Sequence, residues 1–146
     1  MGILNYSTTV SAENTAAQVS KMLAMKGVSR TSTLYDGEGR ACGIGFSMPT
    51  PHGVREYELA VNSAGVLAAM TADRSVRSSY CTPEQAHKTA WRIMKDWVEA
   101  QIAVVEAQLS TLDQIMLPHL VVAEGRTLYS VYREREQAAL PAGGDS

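Results

Sequence analysis

The sequence has few of the residues that build metal, disulfide or catalytic sites. It contains two cysteines, Cys42 and Cys81, which lie far apart and outside any Cys-x-x-Cys pair, and three histidines, His52, His87 and His119. Neither a zinc-ligand spacing nor a nucleophile with a neighbouring base is present in this pattern. We therefore expect no metal, no cofactor and no catalytic residue, and a protein that is not an enzyme.

Long apolar runs are absent as well. Hydrophobic residues make up 45% of the 146 residues, but no uninterrupted run approaches the roughly 20 apolar residues of a membrane-spanning helix. The first residues, MGILNYSTTV, lack the basic segment of a secretory signal. These features predict a protein without a membrane partner, located in the cytoplasm of the cell that makes it, with reduced cysteines.

The length and the pattern of apolar residues predict one α+β domain over residues 1–137 and a flexible tail at 138–146. We expect a small antiparallel β-meander of three or four strands packed with an N-terminal helix, a long C-terminal helix and shorter helices. The predicted strands are residues 5–10, 31–35, 41–48 and 54–61. The first predicted helix begins after Ser11 and ends near Gly27. The other predicted helices cover residues 63–72, 82–109, 111–117 and 128–137.

The long helix carries the strongest signals. Thr82 is suited to cap its start, Pro83 fits the first helical position, and Gln85 completes a T-x-x-Q capping box. Two apolar stripes follow at helical spacing, and the segment 100–109 is apolar nearly all round. Two interpretations stay open: a central core helix, or a helix shared across a dimer. The spacing of Trp91 and Trp97 places them on different sides of the helix, and we expect Trp97 to be the core residue.

The middle strand has two different faces. Ile44, Phe46 and Met48 alternate with small residues and are predicted to be buried, with Cys42 as a small hydrophobe beside them. The other face, Gly43-x-Gly45-x-Ser47, offers almost no side-chain volume. We expect a helix to pack tightly there, with a flat ligand as the alternative, because glycine permits close approach.

Positive charge is concentrated in one part of a chain whose formal net charge is -2. The segment 74–95 has one carboxylate, Glu84, and five cations: Arg74, Arg77, Lys88, Arg92 and Lys95. These cations are candidates for binding phosphate oxygens, because guanidinium groups bind them bidentately. The candidates for stacking on a base are Trp91, Tyr80 and Tyr57. The alternative is a solvated face with Arg92–Asp96 and Lys95–Glu99 pairs.

Several segments resemble a family of small proteins that recurs in phages and prophages. They are NYSTTV near the start, TPHG at 50–53, TPEQA with AWRIMKDWVEAQ at 90–101, and the later LPHL and GRTLY. The resemblance covers nearly the whole chain and implies a small viral protein working inside a bacterium. It implies no activity and no site residue.

These observations lead to a functional prediction from charge and context. We expect a non-catalytic phage counter-defence protein, a homo-oligomer in the host cytoplasm, that sequesters a small anionic nucleotide-type signal between subunits. One alternative is an accessory nucleic-acid-binding protein of phage DNA or RNA metabolism, which the net acidic charge disfavours. Another is an inhibitor that docks on a host enzyme.

Overall fold

The computed structural model describes residues 3–140 and confirms the predicted α+β class. Helices pack on one face of a three-stranded antiparallel sheet, and a two-stranded sheet precedes the last helix. The helices are α1 Ala12–Ala24, α2 Ser63–Ala72, α3 Pro83–Glu106, α4 Leu112–Met116 and α5 Leu128–Ala139, with 3-10 turns at Ser78–Tyr80 and Leu117–His119. The strands are β1 Arg30–Tyr35, β2 Ala41–Thr50, β3 Gly53–Ala60, β4 Val121–Ala123 and β5 Arg126–Thr127.

The sheet is the predicted meander, with strand order β1-β2-β3. Its first turn forms because the Asp36 carboxylate accepts hydrogen bonds from the backbone N–H groups of Glu38 and Arg40, at 2.8 and 3.0 Å. Gly53 begins β3 with a φ of +99°, which a residue with a Cβ rarely adopts. Local turn chemistry therefore fixes both hairpins.

The core lies on one face of the sheet. Ile44, Phe46 and Met48 are buried there, as predicted, while Cys42 is half-buried. Helix α1 covers this face with a buried row: Ala12, Ala16, Val19 and Leu23. Helix α3 adds Ala90, Trp91 and Val98 to the same cluster. Burial of apolar side chains from one sheet face and two helices supplies the main stabilising contribution.

The strand predicted at residues 5–10 is wrong, because this segment forms a turn and an irregular stretch. Asn5 has a φ of +64°, and its carbonyl oxygen accepts hydrogen bonds from the N–H of Thr8 and the hydroxyl of Thr89, at 3.0 and 3.2 Å. The Gln85 side chain donates to the carbonyl oxygens of Tyr6 and Thr8. Polar side chains of α3 thus hold this backbone in place of a neighbouring strand.

The glycine face of β2 does not pack against a helix, contrary to the prediction. A Cβ built on Gly43 would have its nearest neighbours on the adjacent strands, with the Leu59 carbonyl oxygen at 2.6 Å. At Gly45 the nearest atom would be the Ser32 hydroxyl oxygen, at 3.2 Å. The small residues therefore permit close approach of strands, and two of them, Gly45 and Ser47, line a cavity of about 110 Å³.

Helix α3 begins as predicted, with the Thr82 hydroxyl accepting from the N–H of Gln85 at 3.1 Å. It ends three residues before the predicted Leu109, and Gln108 beyond it has a φ of +61°. Helix α3 packs against α1 and α2, whereas Leu109, beyond its end, is 77% exposed. Within residues 3–140, no helix has both the length and the apolarity required to cross a membrane.

The C-terminal helix extends further than predicted. Helix α5 continues to Ala139, two residues into the segment expected to be a flexible tail. Thr127 caps its start, with the Ser130 hydroxyl accepting from the N–H of Thr127 in return. Leu140 follows as the C-cap residue, and the remaining residues of the expected tail, 141–146, lie outside the described residues.

Candidate functional site

The five predicted phosphate-binding cations belong to different environments. Arg74 and Arg77 are exposed in the loop that follows α2. Lys88, Arg92 and Lys95 are half-buried on α3. Among the described cavities, only one is lined by a member of this set, namely Lys88. The structure therefore does not bring the five side chains together around one cavity.

Arg92 joins two helices. Its Nη1 atom donates to the Gln18 Oε1 atom at 2.8 Å and to the Thr15 hydroxyl oxygen at 3.3 Å, both on α1. The predicted partner, Asp96, instead accepts a hydrogen bond from the Asn5 side chain at 2.8 Å. In this structure the guanidinium group of Arg92 stabilises the packing of α3 on α1.

Lys95 forms the predicted pair with Glu99, at an N–O distance of 3.7 Å. This spacing of four residues along a helix is a common surface pair, worth only about 0.3–0.5 kcal/mol. The structure therefore contains this pair of the solvated-face alternative, and the Lys95 ammonium group has a partner within its own helix.

Two of the three predicted stacking residues lie in the core. Trp91 is 0% exposed, and its indole Nε1 donates to the carbonyl oxygen of Ala41 at 2.9 Å. Tyr57 is buried on the sheet, where its ring stacks on Phe46 with centroids 5.3 Å apart, and burial raises the pKa of the Tyr57 phenol. The stacking roles predicted for Trp91 and Tyr57 are therefore wrong, because buried rings cannot stack on a ligand.

The third stacking candidate, Tyr80, is half-buried beside the N-terminal segment. Its ring meets the Tyr6 ring edge-to-face, with centroids 5.5 Å apart. This aromatic contact belongs to a second apolar cluster that includes Met70, Val76 and Ala86. Tyr80 therefore joins the 3-10 turn to the N-terminal segment.

The cavity lined by Lys88 has a volume of about 220 Å³. Its other charged or titratable lining residues are Glu13, Arg40, Glu84 and His87. Burial, and then the charge of Arg40, lower the pKa of His87, whose Nε2 atom is buried without a hydrogen-bond partner among the described residues. With that imidazole neutral, two carboxylates balance two cations, so this cavity has no net attraction for an anion.

A larger, apolar crevice lies beside the middle of α3. Its volume is about 420 Å³, within the range of about 300–1,000 Å³ that is usual for small-molecule sites. The crevice is bounded by the end of β3, the start of α2, α3 and the 3-10 turn at Leu117–His119. Its lining residues are Ala60, Val61, Asn62, Val66, Ala90, Ile93, Met94, Trp97 and His119.

Trp97 and His119 form the aromatic wall of this crevice. Their ring centroids lie 5.9 Å apart with an interplanar angle of 70°, an edge-to-face arrangement. Trp97 was expected in the core, but it is half-buried, and Trp91 takes the fully buried position. The half-buried Trp97 indole is therefore partly accessible from the crevice.

His119 is the titratable group of the crevice. Burial lowers its pKa, and a hydrogen bond to the Glu58 backbone acts in the opposite direction. The lowered pKa favours a neutral imidazole near pH 7, which can donate or accept a hydrogen bond without adding charge. The crevice is therefore uncharged along the lining that the structure describes.

The second polar group is Asn62, which caps α2. Its Oδ1 atom accepts from the backbone N–H groups of Ala64 and Gly65, at 3.0 and 3.3 Å. This fixes the amide at the mouth of the crevice, because the oxygen is already used. The Asn62 NH₂ group is then the part that can donate to a ligand.

The sequence contains a partial signal for this crevice. Ala90, Ile93 and Trp97 follow one helical spacing, which places the three side chains on one side of α3. His119 lies in the LPHL segment, more than twenty residues later. The packing of the 3-10 turn beside α3 is a long-range feature, which a spacing argument cannot supply.

No family model matches the chain, and neither the curated proteins nor the solved structures include a detectable relative. In the described residues 3–140, no three His, Cys, Asp or Glu side chains gather where they could hold a metal ion.

Proposed function

We propose that the protein acts by binding a small planar ligand in the crevice beside Trp97, without turnover. The observation that carries this proposal is the combination of an apolar volume of about 420 Å³ with two polar side chains, Asn62 and His119, at its wall. Ligand sites are typically apolar concavities with a few polar groups that fix orientation.

The chemistry of the lining narrows the ligand class to an uncharged aromatic or heteroaromatic ring. Seven of the nine lining residues are apolar, and no lysine, arginine or carboxylate is among the lining residues. A charged group placed there would lose its hydration without an opposite charge. An uncharged ring would lose little hydration free energy there, because it could stack on Trp97 and form a hydrogen bond with the amide of Asn62.

A nucleobase has this chemistry, which connects the crevice to the expected counter-defence role. A nucleotide-type signal would be held through its base, with its phosphates outside the crevice. The predicted cations Arg74, Arg77, Lys88, Arg92 and Lys95 do not line the crevice. The narrower proposal is that the planar ligand is an anionic nucleotide signal, which the protein sequesters in the host bacterium. This narrower proposal rests on the phage resemblance.

Calorimetric titration of the full chain tests the proposal. The probes are a purine nucleoside, its monophosphate and a cyclic dinucleotide of the same base. Recognition through the base predicts similar affinity for the nucleoside and its monophosphate, whereas recognition through phosphate predicts that the nucleoside does not bind. Metabolites that co-purify with the protein, identified by mass after denaturation, extend the panel beyond nucleotides.

A matched pair of variants tests whether the ligand binds in the crevice beside Trp97. Ile93 lines the crevice but lies outside the core clusters, so Ile93→Phe narrows the crevice with little effect on packing. Val104 is also half-buried on α3 and lies away from the crevice, which makes Val104→Phe the control. Loss of binding in the first variant alone supports the site, and equal binding in both overturns it.

A further inference from the structure

Two polar side chains line the crevice beside Trp97, and each is oriented by contacts within the protein. Asn62 follows β3 and caps α2, and His119 lies in the 3-10 turn Leu117–His119. The other lining residues are apolar. Apolar walls determine the shape of a ligand site and a few polar groups determine its orientation. The hydrogen-bonding capacity of Asn62 and His119 therefore determines which rings the crevice accepts.

The Asn62 amide is oriented by its role as a helix cap. Both of its hydrogen bonds from backbone N–H groups, those of Ala64 and Gly65, end on the Oδ1 atom. The amide cannot turn around without losing this cap, because its nitrogen has two N–H donors and no acceptor. Asn62 is exposed, so these donors are accessible. It therefore offers a ligand hydrogen-bond donors alone.

The His119 ring is held by contacts with two elements. Trp97 on α3 meets it edge-to-face, with ring centroids 5.9 Å apart. A second contact is the hydrogen bond with the backbone of Glu58 on β3, which favours the protonated imidazole. A hydrogen bond with this effect runs from a ring N–H to a carbonyl oxygen. The Glu58 carbonyl oxygen therefore accepts the proton that a neutral His119 ring can donate.

The second nitrogen of His119 is an acceptor. A neutral imidazole has one N–H group and one nitrogen with a free lone pair, so the hydrogen bond to Glu58 leaves the lone pair on the other nitrogen. Within residues 3–140, the only buried side-chain nitrogen or oxygen without a hydrogen-bond partner is Nε2 of His87. The second nitrogen of His119 is therefore not enclosed without a partner, and the ring that carries it lines the crevice.

We infer that the crevice selects a nitrogen heterocycle with an N–H donor for His119 and a carbonyl or ring-nitrogen acceptor for Asn62. This inference rests on the proposed function and specifies its ligand class. Lactams and amino-substituted nitrogen rings, nucleobases among them, carry both groups, whereas hydrocarbons and lactones lack the N–H. Asn62 and His119 are then the specificity-determining residues, and Trp97 supplies the stacking surface.

A ring that lacks the N–H is rejected because its polar atoms are left unpaired. An oxygen placed opposite the second nitrogen of His119 brings two lone pairs together, with no proton between them. Among the apolar lining residues, neither group finds another partner. The cost of an unpaired buried group exceeds the net gain from a hydrogen bond that is made, so discrimination between similar rings is strong.

Two uncharged bicyclic rings of nearly the same shape test the inference. Isocarbostyril is a lactam with an N–H beside its carbonyl, and isocoumarin is the lactone with an oxygen in place of that N–H. Calorimetric titration of the full chain should show binding of the lactam at least about tenfold tighter than that of the lactone. Equal affinities, both lost in Ile93→Phe, would overturn the inference and leave the proposed function standing. If neither ring binds, the proposed function fails with it.

Two substitutions separate the two contacts. His119→Phe keeps a ring beside Trp97 but has no nitrogen, so the lactam should lose its advantage while the affinity of the lactone changes little. Asn62→Asp keeps an oxygen to cap α2 but removes the N–H donors. Both rings share the carbonyl group, so Asn62→Asp should weaken both by a similar factor, at least about tenfold. A lactam advantage that survives His119→Phe would contradict the acceptor role of His119.

Ser11→Asp is the matched control for Asn62→Asp. Ser11 caps α1, where its hydroxyl accepts from the N–H of Asn14 at 3.1 Å, and it lies outside the crevice. The variant places the same charge at a helix cap, so both rings should keep their wild-type affinities. Urea unfolding of each variant shows whether it is folded under the titration conditions. Equal weakening in Ser11→Asp and Asn62→Asp would contradict the donor role of Asn62.

Discussion

The indole Nε1 atom of Trp91 donates a hydrogen bond of 2.9 Å to the carbonyl oxygen of Ala41, at the first residue of β2. Both residues are 0% exposed. The bond joins helix α3 to the start of the central strand β2, which lies far from α3 in the sequence and directly follows the turn from β1. Because water cannot replace the indole at this place, the contact is important for stability.

Trp91→Phe should destabilise the fold by about 2–4 kcal/mol, since it leaves the Ala41 carbonyl unpaired and opens a small cavity. Urea unfolding measured by circular dichroism gives the free energy of unfolding. The matched variant, Trp97→Phe, changes a half-buried indole at the crevice and should cost less. Equal losses in the two variants would contradict the assigned role of Trp91.

Arg92→Met should destabilise the fold by about 1 kcal/mol, because it removes the hydrogen bonds to Thr15 and Gln18 while keeping most of the aliphatic stem. Arg74→Met, in an exposed loop, is the control and should be nearly neutral. Binding of a planar ligand in the crevice should be unchanged in both variants. Loss of ligand binding in Arg92→Met with unchanged stability would favour the anion-binding prediction instead.

The parts of the fold that could be predicted are those determined by neighbouring residues. Asp36, Gly39 and Gly53 specify two turns between alternating segments, and Thr82 with Pro83 specifies the start of α3. The segment 5–10 also alternates, but its backbone groups are satisfied by Gln85 and Thr89, which lie 77 to 84 residues away. Alternation in a short segment cannot reveal such a partner.

The candidate site was harder to predict, because it depends on which helix face meets which neighbour. Helical spacing placed Lys88, Arg92 and Lys95 on one side of α3, but the packing of α1 against that side engages Arg92. Likewise, spacing showed that Trp91 and Trp97 point in different directions. The buried Ala41 carbonyl determines that Trp91 is the inner one.

Gly43→Ala should destabilise the sheet by about 1–3 kcal/mol, because the new methyl group would lie 2.6 Å from the backbone oxygen of Leu59, which cannot move without shifting β3. Gly45→Ala is the matched variant on the same strand face. Its methyl group would lie 3.2 Å from the Ser32 hydroxyl, a side-chain atom that can rotate away. Thermal unfolding should therefore show a clear loss for the first variant and a smaller change for the second.

Acidification should destabilise the fold in the window that begins near pH 6.5 and extends down to the folded-state pKa values of His119 and His87. Burial lowers the pKa of both imidazoles below their ordinary value of 6.5. In this window the unfolded chain binds more protons than the folded chain, so the free energy of unfolding falls as the pH falls. Asp36 and Asp73, whose pKa values hydrogen bonds lower, add to the loss only below about pH 4.

The histidine contribution is separable by substitution. His119→Gln should reduce the difference in unfolding free energy between pH 7.5 and pH 5.5, because glutamine stays neutral in both the folded and unfolded states. His52→Gln, in an exposed turn between β2 and β3, is the control for the removal of an imidazole outside the crevice. Ligand binding in the crevice should weaken over the same window, since a protonated His119 places a charge beside the apolar lining. A pH profile identical in His119→Gln and the wild type would show that this imidazole is not held neutral by burial.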